Sequence, residues 1–198
     1  MMIAGPTAVS LFTQDTTRAK HTGFWSAFMP IGTALSFLMA PLTLSVGGWQ
    51  SLWFFSVLVS LIALLAAWVW IPSDLNQPSP RLDRRLLKKT LKTTTLIWLG
   101  CVFAMHSLVF HIILQFIPIY GTTSLGSSFS TVSYIVAGYC LLNVCGNFLA
   151  GQALYRGIRP SRLMSIHFMA VPFLAAALFF PDVPDPIRFM ALIIGAFF

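Results

Sequence analysis

Residues 49–71 read WQSLWFFSVLVSLIALLAAWVWI, an apolar stretch without a single charged side chain. As an α-helix this stretch would be about 34 Å long. That length matches the hydrocarbon core of a bilayer, which is roughly 30 Å thick. The stretch therefore predicts a transmembrane helix rather than a buried helix of a soluble domain.

The composition of the whole chain agrees with this prediction. Its 198 residues are 57% hydrophobic and only 9% charged, and the mean hydropathy is +0.82. Soluble domains carry about 25% charged residues. At about 20 residues per span plus loops, the chain has room for five to seven helices. The predicted fold class is all-α, a polytopic transmembrane helical bundle.

Five full spans are predicted, at about Thr22–Leu44, Trp49–Ile71, Thr94–Tyr120, Phe129–Tyr155 and Leu163–Phe180. A tight turn at Ser45–Gly48 joins the first two. Two shorter apolar stretches, Met1–Phe12 and Ile187–Phe198, are each about half as long as a span needs to be. A helix that ends inside the bilayer would leave its last carbonyls unpaired. The sequence is therefore expected to be truncated at both ends, with missing helices of the same chain as partners.

Basic residues are distributed unevenly between the loops. Only Arg188 falls in one set of alternate loops, and the positive-inside rule therefore predicts that the other set faces the cytoplasm. That set comprises the loops around residues 13–21, 72–93 and 156–162. Its basic residues are Arg18, Lys20, Arg81, Arg84, Arg85, Lys88, Lys89, Lys92, Arg156, Arg159 and Arg162.

The net charge of +7 does not indicate a nucleic-acid partner, because the basic residues are not clustered on one folded face with aromatic residues between them. The three cysteines, Cys101, Cys140 and Cys145, lie within apolar runs and form no CxxC pair. This placement is typical of small buried hydrophobic residues.

The longest polar segment, Pro72–Thr93, is predicted to be a cytoplasmic linker with a basic second half at residues 81–92. Its leucines are spaced nearly as on one face of a helix, which would suit a helix lying on anionic lipid headgroups. The alternative is a solvated segment that only sets the topology. The pattern favours neither.

Several motifs accompany this layout. They are Pro30-x-Gly32 in the first span, Gly-Trp-x-Ser-Leu-Trp from Gly48 to Trp53, Phe-Ile-Pro-Ile-Tyr at 116–120, and Asn143-x-x-Gly146-Asn147-x-x-x-Gly151 before Arg156-Gly157 and Arg159. In these motifs and its long basic linker, the chain resembles the major facilitator superfamily (MFS) of transporters over essentially its whole length.

The resemblance implies that the chain covers about helices 4 to 10 of that family. Residues 1–71 would be the end of the N-terminal half, with partial helix 4 and helices 5 and 6. Residues 72–93 would be the linker between the halves, and residues 94–198 would be the start of the C-terminal half, with helices 7 to 9 and partial helix 10.

The chain departs from the family's motifs at two positions, which bear on the branch of the family that it resembles. Tyr155 stands where the family's cytoplasmic loop motif has Asp, although Gly151, Arg156, Gly157 and Arg159 fit the motif. Pro30 is not followed by the second Gly-Gly of drug antiporters, so drug efflux is not supported. The Asn-Gly-Asn pattern and the Gly-Trp turn lean towards the cyanate-permease-like branch.

Polar side chains within a span are costly and are therefore candidates for function. Ser107, His111 and Gln115 are four residues apart, which places them on one helical face. These side chains are predicted to line a substrate cavity for a small polar or anionic solute. The alternative is packing against a neighbouring helix. His106 lies roughly 100° from Ser107 and is a weaker cavity candidate.

The fourth span carries a second polar face, formed by Tyr139, Asn143 and Asn147. These residues are further cavity candidates, near the depth at which such transporters bind substrate. Glycines beside asparagines also suit close helix packing with interhelical hydrogen bonds, and the sequence does not separate the two interpretations.

Two features of the first span concern its shape and packing. Pro30 and Pro41 are each expected to kink or end the helix locally. Gly32, Ser36 and Ala40 repeat at intervals of four, which predicts a face that packs closely on another helix.

The predicted function is secondary active transport of a small solute of unknown identity, in a plasma membrane, with a bacterial inner membrane expected. The alternatives are a membrane scaffold and a membrane cofactor protein that uses His106, His111 or His167 as ligands. All five acidic residues lie in loops or at span ends, and no nucleophile with an acid–base partner is visible. No enzyme activity, cofactor or metal site is expected.

Overall fold

The computed structural model describes residues 9, 13, 17–70 and 92–197. Within these ranges the regular elements are α-helices and no strand occurs. They are α1 (Arg18–Ser26), α2 (Phe28–Trp70), α3 (Thr94–Thr123), α4 (Phe129–Tyr155), α5 (Pro160–Phe179) and α6 (Asp185–Ala196). The predicted all-α class is confirmed. The predicted partial helix at 1–12 and the linker at 72–93 lie almost wholly outside the described residues.

The first predicted span is interrupted at Ala27, between α1 and α2. Pro30 has no N–H to donate to the carbonyl of Ser26, and its ring crowds that carbonyl. The Ala27 N–H instead bonds to the Phe24 carbonyl three residues back, at 3.2 Å, and the next helix begins with Ile31 N–H donating to Ala27 at 3.0 Å. The expected local break is therefore found, three residues before the proline.

Helix α2 is interrupted at Gly47 and Gly48. At 43 residues it would be about 65 Å long if straight, twice the thickness of a bilayer core. Gly47 (φ −152°, ψ 23°) and Gly48 (φ 66°, ψ −158°) leave helical geometry, and the positive φ of Gly48 favours glycine. The break lies within the turn predicted at residues 45–48.

The other helix bounds are close to the predicted ones. Helix α3 continues three residues beyond Tyr120, α4 begins and ends at the predicted residues, and α5 begins at Pro160, three residues before the predicted start. The Ser128 side chain caps α4 by accepting from the Thr131 N–H at 3.1 Å. Pro160, at the first turn of α5, suits a helix start because its missing N–H would have no partner there.

Among the described residues, four helical segments are long and apolar enough to cross a membrane: Arg18–Trp70, Thr94–Thr123, Phe129–Tyr155 and Pro160–Phe179. Large apolar side chains face outward, as shown by Phe54 at 77% and Trp68 at 82% exposure. A soluble protein would bury such groups. Outward-facing aromatic and aliphatic side chains are the arrangement that lipid requires.

The described chain divides into two compact units. One contains residues 17–41 and 116–197, and its centre is α4, where Val136 and Cys140 are completely buried. At the turn from α3 to α4, a Cβ on Gly121 would stand 2.7 Å from Val132, so the glycine permits the close contact. The other unit contains residues 42–70 and 92–115, including Ser107, His111 and Gln115.

Candidate solute pathway and helix contacts

The polar face of α4 is engaged in contacts with two other helices. The Asn143 amide donates to the carbonyl of Ala196 in α6 at 3.0 Å, and the Tyr139 hydroxyl donates to the Gly195 carbonyl at 3.4 Å. A Cβ on Gly146 would stand 2.5 Å from the Phe197 carbonyl oxygen. The glycine thus permits the close backbone approach that these hydrogen bonds need.

Asn147 connects this face to α1. Its amide nitrogen donates to the Asn143 carbonyl at 3.0 Å and to Asn143 Oδ1 at 3.1 Å. With both N–H groups used on α4, its Oδ1 accepts from the Ser26 hydroxyl at 2.8 Å. The same hydroxyl also lies 2.8 Å from the Gly23 carbonyl of its own helix, so its single hydrogen serves two acceptors.

The axes of α1 and α4 approach closely at a pair of glycines. A Cβ on Gly23 would stand 2.9 Å from the Gly151 Cα and 2.9 Å from the Asn147 carbonyl oxygen. A Cβ on Gly151 would likewise stand 3.2 Å from the Gly23 Cα. Backbones can approach this closely in a membrane only where side chains are small.

Aromatic groups flank this glycine pair. The Phe24 and Phe148 rings lie with centroids 5.7 Å apart. The Lys20 Nζ lies 3.8 Å from the centroid of the Tyr155 ring, a cation–π contact. Tyr155, which the family resemblance places at the Asp position of the loop motif, therefore contacts the Lys20 ammonium through its ring and not through a carboxylate.

The loop motif after α4 has a clear structural role at its glycine. Gly157 has φ +88°, its N–H donates to the Leu154 carbonyl at 3.0 Å, and the Ile158 N–H donates to the Ala153 carbonyl at 3.1 Å. This pair of bonds is a Schellman motif, which satisfies carbonyls at the helix end. Arg156 and Arg159 occupy the two sides of this turn, and Arg159 precedes α5.

On α3, Ser107 and His111 contact each other as neighbours on one helical face. The His111 Nδ1 lies 2.8 Å from the Ser107 carbonyl oxygen and 3.4 Å from its Oγ. Ser107, His111 and Gln115 are all exposed in the described chain. The His106 ring stacks on Phe110 at 6.3 Å between centroids and takes part in a further interaction.

The structure thus places the predicted cavity residues in two groups. Tyr139, Asn143 and Asn147 lie in the contacts that α4 makes with α1 and α6. This is the arrangement in which the polar face packs against neighbouring helices. His106, Ser107, His111 and Gln115 belong to the other unit. Cavity lining by either group stays a prediction. At Gly32, one residue of the packing face predicted at Gly32, Ser36 and Ala40, no described atom outside its own helix backbone lies within 4 Å of a Cβ placed there. Packing of that face stays a prediction.

Arg188 was predicted only as the single basic residue of the outer loops, and its bonding is a feature that sequence reasoning missed. Its Nε donates to the Val183 carbonyl at 2.9 Å, and its Nη2 donates to the carbonyls of Phe180 and Pro181, each at 2.8 Å. Its Nη1 donates to the Tyr120 hydroxyl. The guanidinium therefore joins the end of α3, the end of α5 and the start of α6.

A cavity of about 340 Å³ lies beside this guanidinium. Its wall is mainly apolar, and the lining includes Ile117, Tyr120, Val132, Phe179, Arg188 and Leu192. Among the described residues no group of three or more His, Cys, Asp or Glu side chains could hold a metal ion. All three cysteines are free.

The Ser26–Asn147 bond and the Gly23–Gly151 pair also went unpredicted. The signal was present in the spacing, because Gly23 and Ser26 are three residues apart and Asn147 and Gly151 are four apart. Each pair marks one face of a helix with a small residue beside a polar one. The spacing does not reveal which two helices meet.

The helices and their outward apolar surface define an integral membrane protein that crosses the bilayer several times. The family model of the Major Facilitator Superfamily matches residues 1–198, and the chain belongs to that superfamily. No curated protein and no solved structure matches the chain. The family resemblance in the sequence is confirmed, whereas the cyanate-permease-like branch is not confirmed. Membership makes this chain part of a membrane transporter family.

Proposed function

We propose that the protein is a secondary active transporter that moves a small solute by alternating access. The observation that carries the proposal is the contact between α1 and α4 through Lys20–Tyr155, Gly23–Gly151 and Ser26–Asn147. The chain is proposed to act as a carrier and not as an enzyme. Its proposed location is a plasma membrane of the bacterial inner type, with the basic loops in the cytoplasm.

The contact has the position that a closing surface requires. If residues 1–71 belong to one half of the transporter and residues 94–198 to the other, α1 and α4 come from different halves. Lys20 and Tyr155 lie beside the basic loops, which the positive-inside rule assigns to the cytoplasm. The α1–α4 contact would then close the cytoplasmic side of the solute path, and solute release to the cytoplasm would require it to open.

The chemistry of the contact suits repeated opening. It includes one interhelical hydrogen bond, one cation–π pair, the Phe24–Phe148 ring contact and the close glycine backbones, and each polar group can exchange its partner for water. Interhelical hydrogen bonds in membranes contribute about 0.6 kcal/mol on average. An exposed cation–π contact contributes about 0.5–1 kcal/mol. Contacts of this strength can stabilise the state in which α1 and α4 touch without preventing the state in which they separate.

A reversible crosslink tests this proposal. In the intact protein, Cys101, Cys140 and Cys145 are replaced by serine. Ser26→Cys then places a thiol at the native hydroxyl, and Asn147→Cys places one at the native Cγ, next to the Oδ1 that lies 2.8 Å from that hydroxyl. We expect oxidation to form a disulfide, to stop uptake of the solute that the intact protein carries, and to be reversed by a reductant. Uptake and counterflow in proteoliposomes measure this.

The matched control pairs Ser36→Cys with Asn147→Cys, since the Ser36 hydroxyl donates to the Gly32 carbonyl of its own helix at 2.9 Å and has no other hydrogen bond among the described residues. This pair should neither crosslink nor change uptake on oxidation. Full uptake by protein whose α1 and α4 are crosslinked would show that the contact does not open during transport, and would exclude the proposed mechanism. A scaffold function would be favoured if the intact protein moved no solute at all.

Contact of the protein with anionic lipid is also a proposal. The basic segment 81–92 would contact anionic headgroups or act only as a topology signal, and it lies outside the described residues except for Lys92. Binding of the intact protein to vesicles with and without phosphatidylglycerol does not depend on transport and separates these two roles.

A further inference from the structure

The imidazole of His111 is held by a bond that determines which of its nitrogens carries hydrogen. Its Nδ1 lies 2.8 Å from the Ser107 carbonyl oxygen, which can only accept. The Nδ1 atom must therefore carry the hydrogen. In the neutral ring, Nε2 is then left with an in-plane lone pair, on the side of the ring away from the helix backbone.

The surroundings indicate what this lone pair faces. His111 lies near the middle of α3, and both His111 and Gln115 are exposed in the described chain. No hydrogen bond of Nε2 or of the Gln115 amide is found among the described residues. A lone pair and a primary amide that faced hydrocarbon at this depth would each cost several kcal/mol, so both groups require either water or a polar partner on another helix.

We propose that His111, oriented by the Ser107 carbonyl, presents its Nε2 lone pair to the solute path and accepts a hydrogen bond there. The matching solute group is a hydroxyl, an amide N–H or an ammonium. A carboxylate would find no donor at Nε2 of the neutral ring. Gln115, one helical turn further on, offers a donor and an acceptor to the same solute. This inference rests on the proposed transport function for the identity of the path.

Zinc is a suitable probe, because it binds neutral imidazole through a nitrogen lone pair and reaches it only through water. Gln115→His places a second imidazole four residues after His111, the spacing at which two histidines on one helical face bind zinc together. We expect this variant of the intact protein, in nanodiscs, to bind zinc at least about tenfold more tightly than wild type. Adding His111→Asn, which keeps an amide near Nδ1 but removes Nε2, should abolish the gain.

The matched control is Phe110→His. It creates the same four-residue pair with His106 on another face of α3, among the apolar side chains of Val102 and Phe103. No tightening is expected there. The inference is overturned by a folded Gln115→His variant without tighter zinc binding, or by equal tightening in Phe110→His.

If Gln115→His does not fold, a second measurement tests which nitrogen of His111 carries the hydrogen. In ¹⁵N-histidine-labelled wild-type protein, the His111 signal is assigned by its loss in His111→Gln, and hydrogen on Nδ1 is expected. Hydrogen on Nε2 would overturn the inference. Neither measurement uses transport, so an intact protein that moved no solute would refute the proposed function and leave the placement of His111 standing.

Discussion

At the scale of single residues, Arg188 shows how a cation is accommodated on the side of the membrane that otherwise lacks basic residues. Its side chain is only 11% exposed, and its charge is stabilised by three backbone carbonyls at the end of α5 and by the Tyr120 hydroxyl. These carbonyls, of Phe180, Pro181 and Val183, lie in the turn that follows α5, and hydrogen bonds from a charged guanidinium to carbonyl oxygens are stronger than bonds between neutral groups. Arg188 is therefore a structural residue as well as an exception to the charge pattern.

We predict that Arg188→Lys lowers the free energy of unfolding by about 2 kcal/mol, because an ammonium cannot reach three carbonyls and a hydroxyl in the same plane. Thermal unfolding of the purified protein measures the change. Asp185→Asn is the control, since this carboxylate is 81% exposed and 4.0 Å from the guanidinium. An equal loss in both variants would mean that the ion pair, and not the carbonyl cluster, holds Arg188.

At the scale of helices, the α1–α4 crossing depends on Gly23 and Gly151, because a Cβ at either position would stand 2.9–3.2 Å from the backbone of the opposite helix. A Cβ placed on Gly151 would stand 3.2 Å from the Gly23 Cα. A Cβ placed on Gly138, on the same helix, has no described atom outside its own helix backbone within 4 Å. The two positions therefore form a matched pair for testing close packing.

We predict that Gly151→Ala costs about 1–3 kcal/mol of packing at the crossing. It should also slow the Ser26→Cys/Asn147→Cys crosslink severalfold, because the helices must separate to admit the methyl group. Gly138→Ala should leave the crosslinking rate unchanged. If both variants crosslinked at the wild-type rate, the close glycine approach would not be a feature of the closed contact.

At the scale of the whole molecule, the cytoplasmic position predicted for the basic loops determines the side of the membrane on which each contact is expected. The eleven basic residues of one loop set and the single Arg188 of the other assign the α1–α4 contact to the inner side and the α3–α5–α6 junction to the outer side. The proposed closing of the cytoplasmic side by the α1–α4 contact depends on this assignment.

We predict that a reporter inserted after Ile71 and one inserted after Gly126 lie in opposite compartments. Gly126 is the better outer position because α3 extends to Thr123, so an insertion after Tyr120 would interrupt the helix. Alkaline phosphatase should be active after Gly126, and green fluorescent protein should fluoresce after Ile71. A reporter after Gly157 is the cytoplasmic control. Reporters after Ile71 and Gly126 in the same compartment would contradict the topology.

The local features of this fold could be predicted from the sequence. The span positions follow from runs of apolar residues, and the breaks near Pro30 and at Gly47–Gly48 follow from a missing N–H and from glycine's freedom at positive φ. These properties depend on neighbouring residues only. The extra turn of α3 after Tyr120 was missed, since polar residues at a membrane surface can end a helix or continue it.

The partners of the polar side chains were decided by tertiary structure alone. The sequence determined that Asn147 lies within a span and needs a hydrogen-bond partner, but that partner, Ser26, is 121 residues away along the chain. Likewise, Arg188 finds Tyr120 68 residues away. Hydropathy and helical rise act along one segment, whereas the pairing of α1 with α4 and of α4 with α6 depends on which helix faces have complementary shape in three dimensions.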